Sequence, residues 1–237
     1  MKVFPIFLSL AILFSFSDCQ AQWAKIEGEG PVVTKTIELN EFHHLGLGIS
    51  ADVILTQGSK QEVRIKAQQN IIDNIKTKVK GNSWSIDFDE NAKDYKNITI
   101  YITLPTLESI AIGGSGNIST TNKFDNSDRM DISIGGSGDV SLDLTSKKVN
   151  ISIGGSGKVD LDGKGESMNI SIGGSGDVAA FNFEVNNCDV SSAGSGKIDV
   201  NVSDKLDVSL VGSGDVRYKG NPKVKSSIVG SGDVEKH

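Results

Sequence analysis

The sequence predicts an all-β chain wound as a parallel β-solenoid with an irregular N-terminal cap portion. Three observations carry that prediction. The phrase Gly-Ser-Gly, followed by Asp, Asn or Lys and then Val or Ile, occurs seven times after residue 110. Its serines step by 22, 19, 19, 20, 18 and 18 residues, the short period of a chain that stacks one winding on the next. The flanks alternate apolar and polar residues with a period of two, which is the pattern of strands with one buried and one wet face.

The N-terminus comes first in chain order. Lys2 precedes an apolar run over residues 3–16, and Ser17-Asp18-Cys19-Gln20-Ala21 follows. A basic start, a short hydrophobic centre and small residues describe an export signal over 1–21, cut after Ala21 and too short for a membrane span. Cys19 stands where a bacterial lipoprotein carries its lipid, although Asp18 is a poor residue before it. Free secretion and a lipid anchor through Cys19 both stay open, and the expected location is the periplasm, the outer-membrane surface or the medium. After that cut Cys188 is the one cysteine left, read as a small buried hydrophobe.

Residues 22–37 read as a lead-in to a domain over 38–237. Its first part, 38–110, lacks the Gly-Ser-Gly phrase. Leu45, Leu47, Ile49, Ala51, Val53 and Leu55 still alternate, as do Val63, Ile65 and Ala67. Trp84, Ile86 and Phe88 follow a Gly81-Asn82 turn, and Ile98 to Leu104 ends at Pro105. Residues 71–79 fit a short helix or another strand. These segments are expected to form irregular coils that cap the stack, because an open sheet edge invites end-to-end pairing.

From 111 to 237 the coils become regular. Ile132, Ile134, Gly136, Gly138, Val140, Leu142 and Leu144 share one parity, and the register returns at Ile151, Ile170, Val208 and Ile228. The glycines thus lie on the inward parity, at a corner where a side chain would crowd the interior or forbid the needed φ. Seven coils about 4.8 Å apart give a stack roughly 30 Å tall.

The outward residues at the corners form two columns. Ser115, Ser137, Ser156, Ser175, Ser195, Ser213 and Ser231 make a hydroxyl ladder. Asn117, Asp139, Lys158, Asp177, Lys197, Asp215 and Asp233 run beside it. Opposite charges mostly alternate up this second column, which favours attraction between coils; Asp215 and Asp233 break the rule. These residues are the candidate binding surface.

Sharper chemistries fit less well. Gly157-Lys158 and Gly196-Lys197 lack the Ser or Thr and the first Gly of a phosphate loop. The serines lack the flanking glycine of a nucleophile elbow. A calcium β-roll is a rival reading of Gly-Gly-Ser-Gly-Asp-Val, but Lys158 and Lys197 would repel the ion. His43, His44 and His237 lack further ligands at zinc spacing, so no metal or cofactor is expected. Asp139, Asp177, Asp215 and Asp233 suggest a carbohydrate-cleaving groove, yet an active site is a local exception to a repeat rather than the repeat itself. Asn97, Asn117, Asn150, Asn169 and Asn201 head Asn-x-Ser/Thr triplets that polar alternation generates anyway. Net charge of −6, with no basic cluster, speaks against nucleic acid.

Residues 42–58 (FHHLGLGISADVILTQG), 97–118 (NITIYITLPTLESIAIGGSGNI) and the serial GSGDV phrases resemble the "putative auto-transporter adhesin, head GIN domain" family, common in exported proteins of Bacteroidetes. The likeness spans roughly residues 38–234. It implies a β-solenoid related in shape to right-handed pectate-lyase-type helices without their catalytic residues, and a role in cell adhesion. The expected function is a non-catalytic envelope binding or adhesion module whose partner is a surface polymer, such as a glycan, or a protein. A carbohydrate-active enzyme of pectate-lyase-like shape is the competing class.

Overall fold

The structure is a computed structural model, and it describes residues 25–125 and 128–237. The expected export signal, its cut at Ala21 and Cys19 lie outside the described residues. The fold is a nearly all-β parallel β-solenoid of about seven turns.

Each regular coil follows directly from the alternation. Residues 149–153 run as Val149, Asn150, Ile151, Ser152 and Ile153 with the aliphatic residues buried. The chain then bends through Gly154 to Gly157 and re-enters a strand at Lys158. A second corner falls where the parity slips: Lys147 and Lys148 are both exposed between buried Ser146 and Val149. Coils pair in parallel, Asp139 with Lys158 and Ile153 with Ile172, almost without interruption across a winding. Short bulges near Asp160 and Ala180 absorb the changes in coil length.

The interior is a set of aliphatic columns, such as Ile112, Ile134, Ile153 and Ile172. Each fully buried member contributes about 1.5–3 kcal/mol. Cys188 is buried in one of these columns beside Met168 and Leu206. Burial pushes its thiol up to about 12, so it behaves as a hydrophobe.

Crowding explains the corner glycines more generally than φ does. A Cβ on Gly136 would fall within 3.0 Å of the Gly114 carbonyl oxygen, and one on Gly155 would meet that of Gly136 in the same way. Backbone thus lies directly on backbone at this corner. Only the later copies, Gly194, Gly212 and Gly230, also have positive φ.

The N-terminal portion departs from chain order. Thr99–Leu104 lies beneath Asp52–Gln57, which in turn lies beneath Asn117–Thr120. On the neighbouring face Ser83–Ile86 underlies His44–Leu47, and that strand underlies Ser109–Ile112. The coil built from residues 44–57 is therefore sandwiched between two later segments. Below it the sheet turns antiparallel: Glu62–Gln68 covers Thr99–Leu104, and Val32–Ile37 covers Glu62–Gln68. Of the two readings for 71–79, the chain adopts one helical turn, Gln69–Asp73, which buries Ile71 and Ile72. Trp84 fills the first coil against Phe42, ring centroids 5.4 Å apart, and its indole N–H donates to Lys76 O at 2.9 Å. The cap anticipated for this end is thus a small antiparallel layer with large side chains behind it.

Candidate binding surface

The two corner columns form as expected in position. Their serines are exposed, and so are the residues beside them except half-buried Asp215. The corner also has a further copy that the phrase Gly-Ser-Gly does not reveal. Asp52 pairs with Asn117 and Val53 with Ile118, so Ile49-Ser50-Ala51-Asp52-Val53 is the same turn. Ser50 and Asp52 extend both columns toward the cap.

The columns are held together differently from the charge alternation read in the sequence. Asp139 Oδ1 accepts the backbone N–H of Lys158 at 3.0 Å, and Asp177 Oδ1 accepts that of Lys197 at 2.7 Å. Asp215 Oδ1 accepts from Asp233 N at 3.2 Å, and Asn117 Nδ2 donates to Asp52 Oδ1 at 3.0 Å. The Lys158 ammonium pairs with Asp160 of its own coil, 3.6 Å away. Carboxylates therefore cap the next coil's backbone, and opposite charges do not bridge between coils here. The serine N–H groups likewise donate to glycine carbonyls one coil down, as Ser156 does to Gly136 at 3.1 Å. Much of this corner's hydrogen-bonding capacity is spent on the stack itself.

A larger depression lies one face away. A groove of about 770 Å³ crosses six successive coils. Its floor is a second serine column: Ser133, Ser152, Ser171, Ser191, Ser209 and Ser227, all exposed. Along one side run Asp131, Asn150, Asn169, Asp189, Asp207 and Lys225. Asn150 Nδ2 donates to Asp131 Oδ1 at 2.7 Å, and Asn169 Nδ2 donates to Asn150 Oδ1 at 2.9 Å. Asp207 Oδ2 takes the Lys205 ammonium, while its Oδ1 is enclosed and has no hydrogen-bond partner. Small residues on the floor and longer ones beside them produce the depression. The signal was present in the sequence as Asx-Ile/Val-Ser four residues ahead of most corner serines. Two of these triplets, Asn150-Ile151-Ser152 and Asn169-Ile170-Ser171, are among the Asn-x-Ser motifs that polar alternation accounts for.

A second depression, of about 550 Å³, sits beside His44, Glu108 and Arg129. His44 Nδ1 lies 2.8 Å from Ser109 Oγ and its Nε2 lies 3.7 Å from Glu108 Oε2. The trio has the composition of a hydrolytic triad. However, the N–H groups of Glu108 and Ser109 both donate to His43 O, so neither is free to hold an oxyanion. Among the described residues no group of three or more His, Cys, Asp or Glu side chains is placed to hold a metal ion. No helix among them is long and apolar enough to cross a membrane. The aromatic Phe181 on a further face is already covered by His237, whose ring stacks at 4.7 Å, and by Lys219 at 4.5 Å.

Comparison with known proteins agrees with this architecture. The family model described as "Putative auto-transporter adhesin, head GIN domain" matches residues 41–222. A solved structure of a putative adhesin from Bacteroides fragilis is 28% identical, with a TM-score of 0.83 over 90% of this chain and all of that one. Two Parabacteroides distasonis structures share the fold over the same extent. One is a putative lipid binding protein, 24% identical with a TM-score of 0.72; the other is a putative adhesin, 23% identical at 0.71. No curated protein matches the sequence.

Proposed function

The chain belongs to the head GIN domain family, and from that premise we propose that it is an exported, non-catalytic adhesion module of the cell envelope. It holds an extended surface polymer, a glycan, along the serine-floored groove. The observation that supports this reading is the groove itself, which offers one hydroxyl and one Asx or Lys side chain per coil at a constant spacing of about 4.8 Å. A repeating polymer laid along the stack meets the same donors and acceptors at each step. Many weak contacts then add along one molecule, which is how avidity arises without a deep pocket. Asn side chains suit hydroxyl-rich ligands because each supplies a donor and an acceptor. The net charge of −6 fits a neutral polymer better than a polyanion. The corner columns, whose carboxylates and amides serve the stack, flank this surface.

The test is co-sedimentation with insoluble polysaccharides, scored together with release of new chain ends. Retention without release is expected, and it is lost when Ser152 and Ser171 are changed to Arg. The same change at corner residues Ser156 and Ser175 leaves retention intact. Release of chain ends would replace this reading with the carbohydrate-active enzyme. Equal loss from both pairs of variants would move the site away from the groove.

A further inference from the structure

We propose that the last coil pairs with a second copy of this chain, strand Lys223–Gly230 against its counterpart about a two-fold axis at Ser226. The two ends of the stack differ in how their edges are treated. At the N-terminal end antiparallel strands and a helical turn cover the first coils. At the other end Lys223–Gly230 pairs with residues 205–212 on one side, and among the described residues nothing pairs with its outer edge. All of its residues are exposed. The exposed large hydrophobics, Val211, Val224, Ile228 and Val229, all lie in the last two windings. Such an edge carries free N–H and C=O groups beside apolar side chains and is a template for another strand.

The sequence of this strand is complementary to itself in one register. Val224, Ser226 and Ile228 continue the interior columns of Leu206, Val208 and Leu210. Antiparallel pairing centred on Ser226 places Val224 against the partner's Ile228, and Ile228 against the partner's Val224. The two interiors then become one. On the outer face Lys225 meets the partner's Ser227, and Lys223 lays its aliphatic stem over the partner's Val229. No lysine of this strand faces a lysine. Moving the centre one residue back places Lys225 on itself, moving it one forward sets Val224 against Gly230 and Ile228 against Ser226, and a half-step mates inward with outward positions, so the choice of register is narrow.

Charge supplies the second argument. Asp215 and Asp233 are the two corner residues that break the alternation of charge, and they stand at the end of the stack. The strand's other end carries the exposed Lys223. A two-fold axis through the middle of the strand exchanges these ends. It brings the acidic corner of one copy toward the partner's exposed Lys223, with Asp233 directed to that ammonium. The interface is isologous and closed, so it makes dimers and not fibres. Two grooves on one particle also raise the avidity of a weak polymer binder.

The experiment uses the full chain with Cys19 changed to Ser, leaving Cys188 buried. Cα atoms facing each other across an antiparallel pair are about 4.5–5.5 Å apart, within disulfide reach. Ser226→Cys should therefore cross-link to itself under mild oxidation, whereas Ser231→Cys should not. Without cross-linking, light scattering should give a dimer mass at micromolar concentration. D233K should weaken it at least tenfold, and adding K223D should restore it. A monomer throughout that range, or cross-linking from position 231 as readily as from 226, would overturn the proposal.

Discussion

The corner at Ile49-Ser50-Ala51 and the corner at Gly136-Ser137-Gly138 make the same turn, yet only the second requires glycine. The difference lies in what each rests on. Gly136 and Gly138 lie directly over the carbonyl oxygens of Gly114 and Gly116. Beneath Ile49 and Ala51 the chain contacts the coil below only at its ends, where Gly48 N bonds Ile86 O and Asp52 N bonds Ile98 O. Residues 87–97 swing out between those points, pairing instead with Ile75 and Ile26–Glu27. The space above them admits an isoleucine. Glycine at this corner is thus a signature of backbone stacked on backbone, and it disappears where the stack opens.

The two regions also differ in how their interiors are filled. Apart from Phe124 and Phe183, the regular coils repeat modest aliphatic residues, so most contribute a similar share. The cap depends on a few large side chains that occur once. The largest expected effect therefore belongs to the cap: Trp84→Ala should cost about 4 kcal/mol, since Trp84 is fully enclosed and its indole N–H is bonded. The removed ring also leaves the Lys76 carbonyl without that donor. Chemical denaturation of the variant would measure the loss, and a loss below about 1 kcal/mol would mean that the cap is already loose in the native state.

Next comes the corner contrast. Gly136→Val should cost about 3 kcal/mol or more through overpacking on the Gly114 carbonyl. Gly46→Ala, whose new methyl would meet nothing nearer than Ser85 Oγ at 3.4 Å, should change stability by less than about 1 kcal/mol. Equal effects at both positions would contradict the stacking account of the glycines. A third, smaller effect has the opposite sign. Ser192 occupies a column otherwise filled by Ile172 and Leu210, and its hydroxyl is buried without a partner. Ser192→Val should raise stability by about 1–2 kcal/mol, read as a higher unfolding midpoint with an unchanged denaturant slope.

Much of the regular stack was legible because inward parity is written identically in every coil. Ile132, Ile151 and Ile170 announce their own register, and the pairings observed are those the period demands. The cap was legible as strands but not in its order. Val53 and Leu55 carry the same alternation as Ile100 and Ile102, so pattern alone does not reveal which coil lies beneath which. That choice is made by the path of residues 58–98 between those strands, through long-range closure that leaves no periodic trace. The groove was hidden for another reason. Its serines obey the same alternation as the corner serines, and concavity depends on the size of neighbouring side chains and the path of the corner, neither of which has a period. The enclosed Oδ1 of Asp207 has no sequence signal at all, since Asp189 in the same column reads alike.

The smallest expected effect separates two accounts of the corner column. If alternating charge held the coils together, Asp139→Asn would lose as much as Asp139→Ala, and high salt would weaken both the native chain and the stack. The structure instead has Asp139 Oδ1 accepting the Lys158 backbone N–H at 3.0 Å, with the Lys158 ammonium turned to Asp160. An asparagine oxygen accepts the same hydrogen bond, so Asp139→Asn should be nearly neutral. Asp139→Ala should cost about 0.5–1 kcal/mol, the ordinary net contribution of one such bond. The difference should persist at high ionic strength, because an N–H acceptor contact survives screening better than an exposed ion pair. Thermal unfolding of both variants at low and high salt would decide between hydrogen bonding and charge as the glue of the ladder. The same pair of changes at Asp52, which accepts from Asn117 Nδ2 rather than from a backbone N–H, carries the comparison back to the cap. There the acceptor's loss strands only an exposed side-chain amide that water can serve, so the alanine variant should be the milder of the two.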